Sequence, residues 1–288
     1  MDVGVAVPFS HRTPVDYIAT AARHIEELGF ASIWAPEHVL FFPEYASAYP
    51  YSEDGKIPGN PDGILDPFSA LTYVAAHTSR IRLGTGICLV PQRQPVYTAK
   101  MVADLDYLSG GRFEFGVGIG WLEEEFDNLQ MSFRARANRC AEYIDAMKAL
   151  WTQEVSSFEG PTVQLSPCYM NPKPVQKPHP PILFGGESDA AVHRVVTQGD
   201  GWYAYNLDPD AARAGFERLD ARLTDAGRDP ASVRRYVGVA RQRLTPDIAG
   251  AYRDAGVDQI ILPLFATNME DLKRRADRLV VASALQAA

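Results

Sequence analysis

Residues 111–121 read GRFEFGVGIGW, a short apolar run followed by glycines at 116, 118 and 120 and then the acidic stretch WLEEEF (121–126). A strand that enters a glycine-rich turn and then a helix is how a dinucleotide-binding fingerprint, G-x-G-x-x-G, opens its unit. The spacing fails that test. Three positions after Gly118 stands Trp121, and the glycine comes one place early at Gly120. The fingerprint also expects an acidic residue about 20 positions further on, at the end of the next strand. Residues 134–140 instead read RARANRC.

The place of this stretch in the chain is the stronger argument. Helix starts are marked where a capping side chain precedes a proline: Thr13-Pro14, Asp66-Pro67, Asp208-Pro209 and Thr245-Pro246. The oxygen accepts orphan N–H groups, and proline supplies none of its own. Gly29 and Gly256 mark helix ends, each followed at once by a short apolar run that reads as a buried strand. Strands are thus expected at Val3–Val7, Ser32–Trp34, Ile81–Thr85, Arg112–Gly116, Ile182–Phe184, Trp202–Tyr205, Tyr236–Ala240 and Gln259–Leu262. Helices are expected near 14–28, 67–77, 96–108, 134–151, 189–198, 209–226, 246–255 and 269–283. Strict alternation means a parallel sheet. Eight units over 288 residues fit one (β/α)8 TIM barrel spanning 1–288, with long insertions at its C-terminal face. A doubly wound sheet remains the alternative, because counting does not show closure. GRFEFGVGIGW is then the fourth strand of eight, whereas a Rossmann fingerprint follows the first strand of its unit.

Composition narrows the function classes. A net charge of −8 with 22% charged residues argues against a nucleic-acid surface, while leaving room for a local basic pocket. Cys88, Cys140 and Cys168 are widely spaced and read as buried thiols rather than a disulfide frame or metal site; no metal is expected. MDVGVAVPFS has no basic leader, and no apolar run nears the ~18 residues of a membrane span. A cytoplasmic protein is expected. Two connections, 35–65 and 152–180, are too long to be mere links. The first leaves the C-terminal end of a strand and holds Phe41, Phe42, Tyr45, Tyr49 and Tyr51. It reads either as an aromatic lid over an apolar pocket or as rings packed on the barrel or on a partner.

SIWAPEHVLFFP (32–43), residues 66–121, NPKPVQKPHPPILFGGES (171–188) and GDGWY (199–203) together resemble the luciferase-like flavin and deazaflavin family. They are most similar to its branch of coenzyme F420-dependent oxidoreductases, in register over roughly residues 1–205. The final third resembles the family only in its element pattern. The resemblance implies the same barrel, holding a flavin or deazaflavin ring at its C-terminal face.

His38 falls where relatives place a histidine near the reactive ring, and imidazole exchanges protons near neutrality. Its plain alternative is a histidine hydrogen-bonded in the loop. Glu37 beside it could orient it or pair with an arginine. The resemblance implies that Thr85, Gly86 and Ile87 back the ring, with a cis peptide at Gly86–Ile87. Without it, those glycines mark a turn or bulge. Gly118, Gly120 and Trp121 are expected to edge the ring pocket, the glycines clearing space for it. Gly185, Gly186, Glu187 and Ser188 are expected to hold the cofactor phosphate on backbone N–H groups at a helix start. Ser188 can instead serve as the N-cap, and Glu187 is expected to contribute backbone only. Arg93 reads as a solvated loop arginine, or else as a partner for an anion. The acidic run 123–125 is expected to pair on the surface with FRARANR (133–139). Some relatives carry a glutamate where Trp121 stands, so their acid/base pair does not transfer.

The expected activity is hydride transfer between coenzyme F420 and a small apolar organic substrate. The rivals are an FMN-dependent monooxygenase fed by a separate reductase, and a non-catalytic flavin- or deazaflavin-binding protein. The barrel helices offer a surface for a homodimer; no nucleic acid or membrane partner is expected.

Overall fold

A computed structural model describes residues 1–59 and 61–284. The single unit read over 1–288 therefore takes in residues 60 and 285–288, which lie outside the described residues. The barrel strands are β1 (Asp2–Ala6), β2 (Ser32–Ala35), β3 (Arg82–Thr85) and β4 (Phe113–Gly118), followed by β5 (Ile182–Gly185), β6 (Gly201–Tyr205), β7 (Arg234–Gly238) and β8 (Gln259–Pro263). They pair in parallel in the order β3-β2-β1-β8-β7-β6-β5-β4. The sheet closes where β3 meets β4, with Leu83 opposite Phe113 and Gly84 opposite Glu114. Closure removes the doubly wound alternative.

Helices alternate with the strands: α1 (Val15–Glu27), α2 (Pro67–Ala76), α3 (Pro95–Ser109), then the short α4 (Glu123–Asn128) and α5 (Arg136–Thr152). They continue as α6 (Asp189–Gln198), α7 (Pro209–Asp225), α8 (Pro246–Asp254) and α9 (Met269–Ser283). Asp66, Asp208 and Thr245 cap as the sequence predicts, accepting from Ser69, Ala211 and Ile248 N–H. Thr13 does not: its hydroxyl turns back to the Ser10 carbonyl, and α1 starts after Pro14 with no side-chain cap. Gly29 and Gly256 sit at φ 84° and 85°, where a side chain would be strained. No described helix is long and apolar enough to cross a membrane.

The interior fills in two layers. Trp34, Leu183, Tyr203, Tyr236 and Ile261 form a core of their own inside the barrel. Trp34 reaches across because Gly84 is opposite; a Cβ there would lie 2.3 Å from the indole. Nearer the strand starts the filling is polar. Glu114, about 1% exposed, accepts from Tyr236 at 3.0 Å and from Arg234 at 2.5 Å. Burial pushes its carboxyl above the ordinary range, although Arg82 and Arg234 pull the other way.

The second long connection does not lie at the C-terminal face, where the long insertions are expected. Residues 152–180 join α5 to β5, so they lie at the N-terminal end, and Ser156–Glu159 pairs there with Gln164–Cys168 as an antiparallel hairpin. Asn171–Pro172 and Lys177–Pro178 are cis. Two surface cavities, of about 510 and 470 Å³, open away from the C-terminal mouth. One is lined by Trp151, Tyr169 and Lys173, the other by Arg23, Glu26 and Arg80.

Two glycines should respond oppositely to a methyl group. A Cβ on Gly116 would lie 2.0 Å from the Thr85 carbonyl oxygen, whereas one on Gly250, inside α8, meets nothing within 4 Å. Gly116→Ala is expected to lose at least ~2 kcal/mol in denaturant unfolding, and Gly250→Ala to gain ~0.5–1 kcal/mol. An unchanged Gly116→Ala midpoint would contradict the packing described.

Candidate active site at the barrel mouth

The peptide Gly86–Ile87, just past β3, is cis, as the family resemblance implies. The Ile87 side chain turns across the mouth and packs on the upper interior layer. Added Cβ atoms on Gly118 and Gly185 would lie 2.2 and 2.7 Å from its Cδ1. One on Gly120, at φ 77°, would lie 2.7 Å from Phe126. The space that side chains at 118 and 120 would take is filled by the chain itself, by Ile87 and by Phe126.

His38 stands above the end of β2, its side chain 15% exposed, with Nδ1 2.9 Å from Glu125 Oε2. Glu125 is fully buried and accepts three further hydrogen bonds: from Val39 N–H at 2.6 Å, Leu40 N–H at 3.1 Å and Gln92 Nε2 at 3.0 Å. Burial pushes its carboxyl up, but the bonds from His38, Gln92 and the backbone outweigh this and leave it below the ordinary value. The expectation of a solvated acidic run fails at this residue. It fails for the neighbouring residue too: Glu124 accepts from Ala46 and Ser47 N–H at 2.5 and 3.1 Å. No ion pair joins 123–125 to the arginines of 133–139 among the described residues.

Trp121 connects the histidine to the lid. Its ring lies 5.9 Å from His38, 5.8 Å from Tyr45 and 5.2 Å from Tyr49. Tyr51 stacks edge-on to Tyr205 at 4.7 Å, and Arg241 donates to the Tyr51 carbonyl. The aromatic connection therefore folds onto the mouth of its own barrel.

Arg93 is not solvated. Its side chain, 14% exposed, donates to Glu37 at 2.5 Å and to Asp66 at 2.6 Å, and lies over the Phe68 ring. Glu37 also accepts from Leu89 N–H at 2.6 Å. This clamp ties the exit of β2 to the segment after β3 and to the cap of α2, so Glu37 braces the loop rather than His38.

On the far side, Ser188 caps α6 by accepting from Ala191 N–H at 3.2 Å. The Ser188 N–H donates to no acceptor among the described residues, whereas that of Glu187 turns toward its own carboxylate. The Glu187 carboxylate, expected to stand aside, accepts instead from Tyr205 N–H at 2.7 Å and faces the Tyr51 hydroxyl at 3.4 Å. Burial raises its pKa. Nearby, Arg136 donates to the Gly120 carbonyl at 3.0 Å, and Arg194 on α6 carries a buried Nε with no partner. Burial lowers the Arg136 pKa, the charge of Glu123 opposes it, and those of Arg139 and Arg194 lower it further. No group of three or more His, Cys, Asp or Glu is placed to hold a metal ion among the described residues.

Barrel, cis bond and motif order converge, and the comparisons agree. Residues 1–279 match the luciferase-like monooxygenase family, to which the chain belongs. It is 33% identical over 263 residues to the uncharacterized protein Rv0953c of Mycobacterium tuberculosis, covering 91% of this chain and 92% of that one. In fold it is similar to the monooxygenase RslO1 of Streptomyces bottropensis, at TM-score 0.75, 22% identity and 99% coverage of both chains. It is likewise similar to an F420-dependent secondary alcohol dehydrogenase solved with an F420–acetone adduct, at TM-score 0.76, 15% identity and 99% coverage of both. Members of the family are oxidoreductases and monooxygenases.

Sequence reasoning named His38, Trp121 and the 185–188 loop, and missed Glu125, Gln92 and Arg194. One signal was available: Leu122, Glu125 and Phe126 share an inward face of α4, and all three are buried.

Two variants check this geometry. Arg93→Met strands the Glu37 carboxylate and should cost ~3–5 kcal/mol in urea unfolding, where a solvated arginine would cost under ~0.5 kcal/mol. For Glu187 the raised pKa means stability present in acid and lost as pH rises through the folded-state value. Glu187→Gln should therefore melt above wild type at alkaline pH, with the gap closing below about 4.3, the ordinary glutamate value. A gap that widens in acid would reverse the assignment.

Proposed function

We propose that this chain is an oxidoreductase that holds coenzyme F420 at the barrel mouth and moves hydride between it and a small apolar organic molecule. The observation that carries the reading is the placement of His38: one ring nitrogen is tied to a buried carboxylate, Nε2 bonds nothing among the described residues, and the ring packs beside Phe41 and Trp121.

The residues present fit such a cofactor. The unpartnered Arg194 Nε and the unused N–H group of Ser188 suit a phosphate. Ile87 and Trp121 offer apolar faces to a flat ring. When bound, the deazaflavin supplies the hydride chemistry. The protein orients the substrate beneath Tyr45, Tyr49 and Trp121, excludes water with those rings, and holds or takes a proton at His38 Nε2. Trp121 walls the pocket where some relatives place a carboxylate.

A second reading keeps the site and changes the co-substrate: an FMN-dependent monooxygenase served by a separate reductase. The likeness to RslO1 supports it. Both cofactors carry a phosphate, so the arginines do not separate them.

Parallel fluorescence titrations with F420 and FMN are expected to show tighter binding of F420. Arg194→Gln should weaken it about tenfold, the loss of one charged hydrogen bond. His38→Gln should lower turnover at least ~10²-fold while leaving cofactor affinity nearly unchanged. Oxygen consumption with reduced FMN, and no binding of F420, would select the second reading.

A further inference from the structure

Glu125, the buried member of the acidic run 123–125, is the carboxylate that meets His38. We propose that Glu125 is a positioning residue that fixes His38 as its Nδ1–H tautomer, so that Nε2 meets the mouth as a proton acceptor. The inference rests on the reading of His38 as the proton-handling residue.

Four donors or potential donors converge on this carboxylate. Oε1 accepts from Val39 and Leu40 N–H, and Oε2 lies against Gln92 Nε2 and His38 Nδ1. An ionised carboxylate only accepts, so the hydrogen between Oε2 and Nδ1 belongs to the ring. A protonated Glu125 would have to turn its own hydrogen toward Nδ1 while its other oxygen met both lid-root amides. The lowered pKa of the group disfavours that form. The ring is also fixed in place by Phe41 and Trp121, whose centroids lie 5.1 and 5.9 Å away. A neutral imidazole carrying hydrogen on Nδ1 presents a lone pair at Nε2.

Glu125 also anchors the root of the lid, as Glu124 anchors its middle. A purely structural anchor would make the same backbone bonds without setting a tautomer, so the test must separate the two roles. Glu125→Gln does this. The amide oxygen can take the Val39 and Leu40 N–H groups, while the amide nitrogen faces Nδ1 and forces it to accept. Gln92 tolerates the change, because its own Oε1 is buried without a partner and can swing round to accept.

The readout is ¹⁵N-histidine NMR of the intact protein above the pH range in which histidine titrates, with His38 assigned by the signals missing from His38→Gln. Wild type is expected to show a protonated Nδ1 and a bare Nε2, and Glu125→Gln the reverse, with thermal unfolding little changed. Wild type with hydrogen on Nε2 would overturn the proposal even if the variant did not fold. So would a folded Glu125→Gln whose tautomer matches wild type. An inverted tautomer with unaltered turnover would uphold the positioning role and instead refute the proton-handling role of His38.

Discussion

The barrel mouth is organised by one steric constraint: Ile87 needs the volume that side chains at 118 and 185 would occupy. The Thr85 carbonyl makes the same demand on position 116, whose Cβ it would meet at 2.0 Å. The end of β3, the cis peptide after it and the last turn of β4 therefore fit together as one packed piece. Thr85 secures it from the other side by donating its hydroxyl to the Gly116 carbonyl at 2.7 Å. The alternating glycines that suggested a nucleotide fingerprint exist to let two neighbouring strands approach. Their spacing of two is the period of a strand, with 116 and 118 on one face.

Around that piece, buried and half-buried carboxylates do the fixing. Glu37 joins three segments through Arg93 and a backbone amide, and Glu125 joins α4 to His38 and the lid root. Glu187 joins the loop after β5 to the end of β6 and to the lid. Each is retained in the interior because donors are already present to meet it. The loops of this face are therefore held by hydrogen bonds to side chains, which set backbone positions more sharply than apolar packing would.

What was legible in the sequence was local. Caps and helix-ending glycines act within four residues of themselves, so Asp66, Asp208, Thr245, Gly29 and Gly256 announced their elements and the alternation followed. Thr13 carried the same signature and failed, because Ser10 offered its hydroxyl a nearer carbonyl. The hairpin at 156–168 was hidden because it belongs to no strand–helix unit. Long-range pairing was invisible: His38 meets Glu125 across 87 positions and Arg93 meets Glu37 across 56. Charge alone reads such residues as solvated, since most charged side chains are. The cis bond at Gly86–Ile87 came from family resemblance, and no local rule would have supplied it.

The charge distribution at the mouth follows from the same pairing. The chain carries −8 overall, yet the carboxylates gathered here are not free to repel an anion. Glu37 is neutralised by Arg93, Glu125 is surrounded by donors, and burial favours the uncharged form of Glu187. Burial and the charges of Arg139 and Arg194 lower the proton affinity of Arg136 while Glu123 opposes them, and Arg194 keeps a donor unused. A chain of net negative charge can thus gather arginines beside the mouth, because the carboxylates of that face are paired or met by donors rather than free.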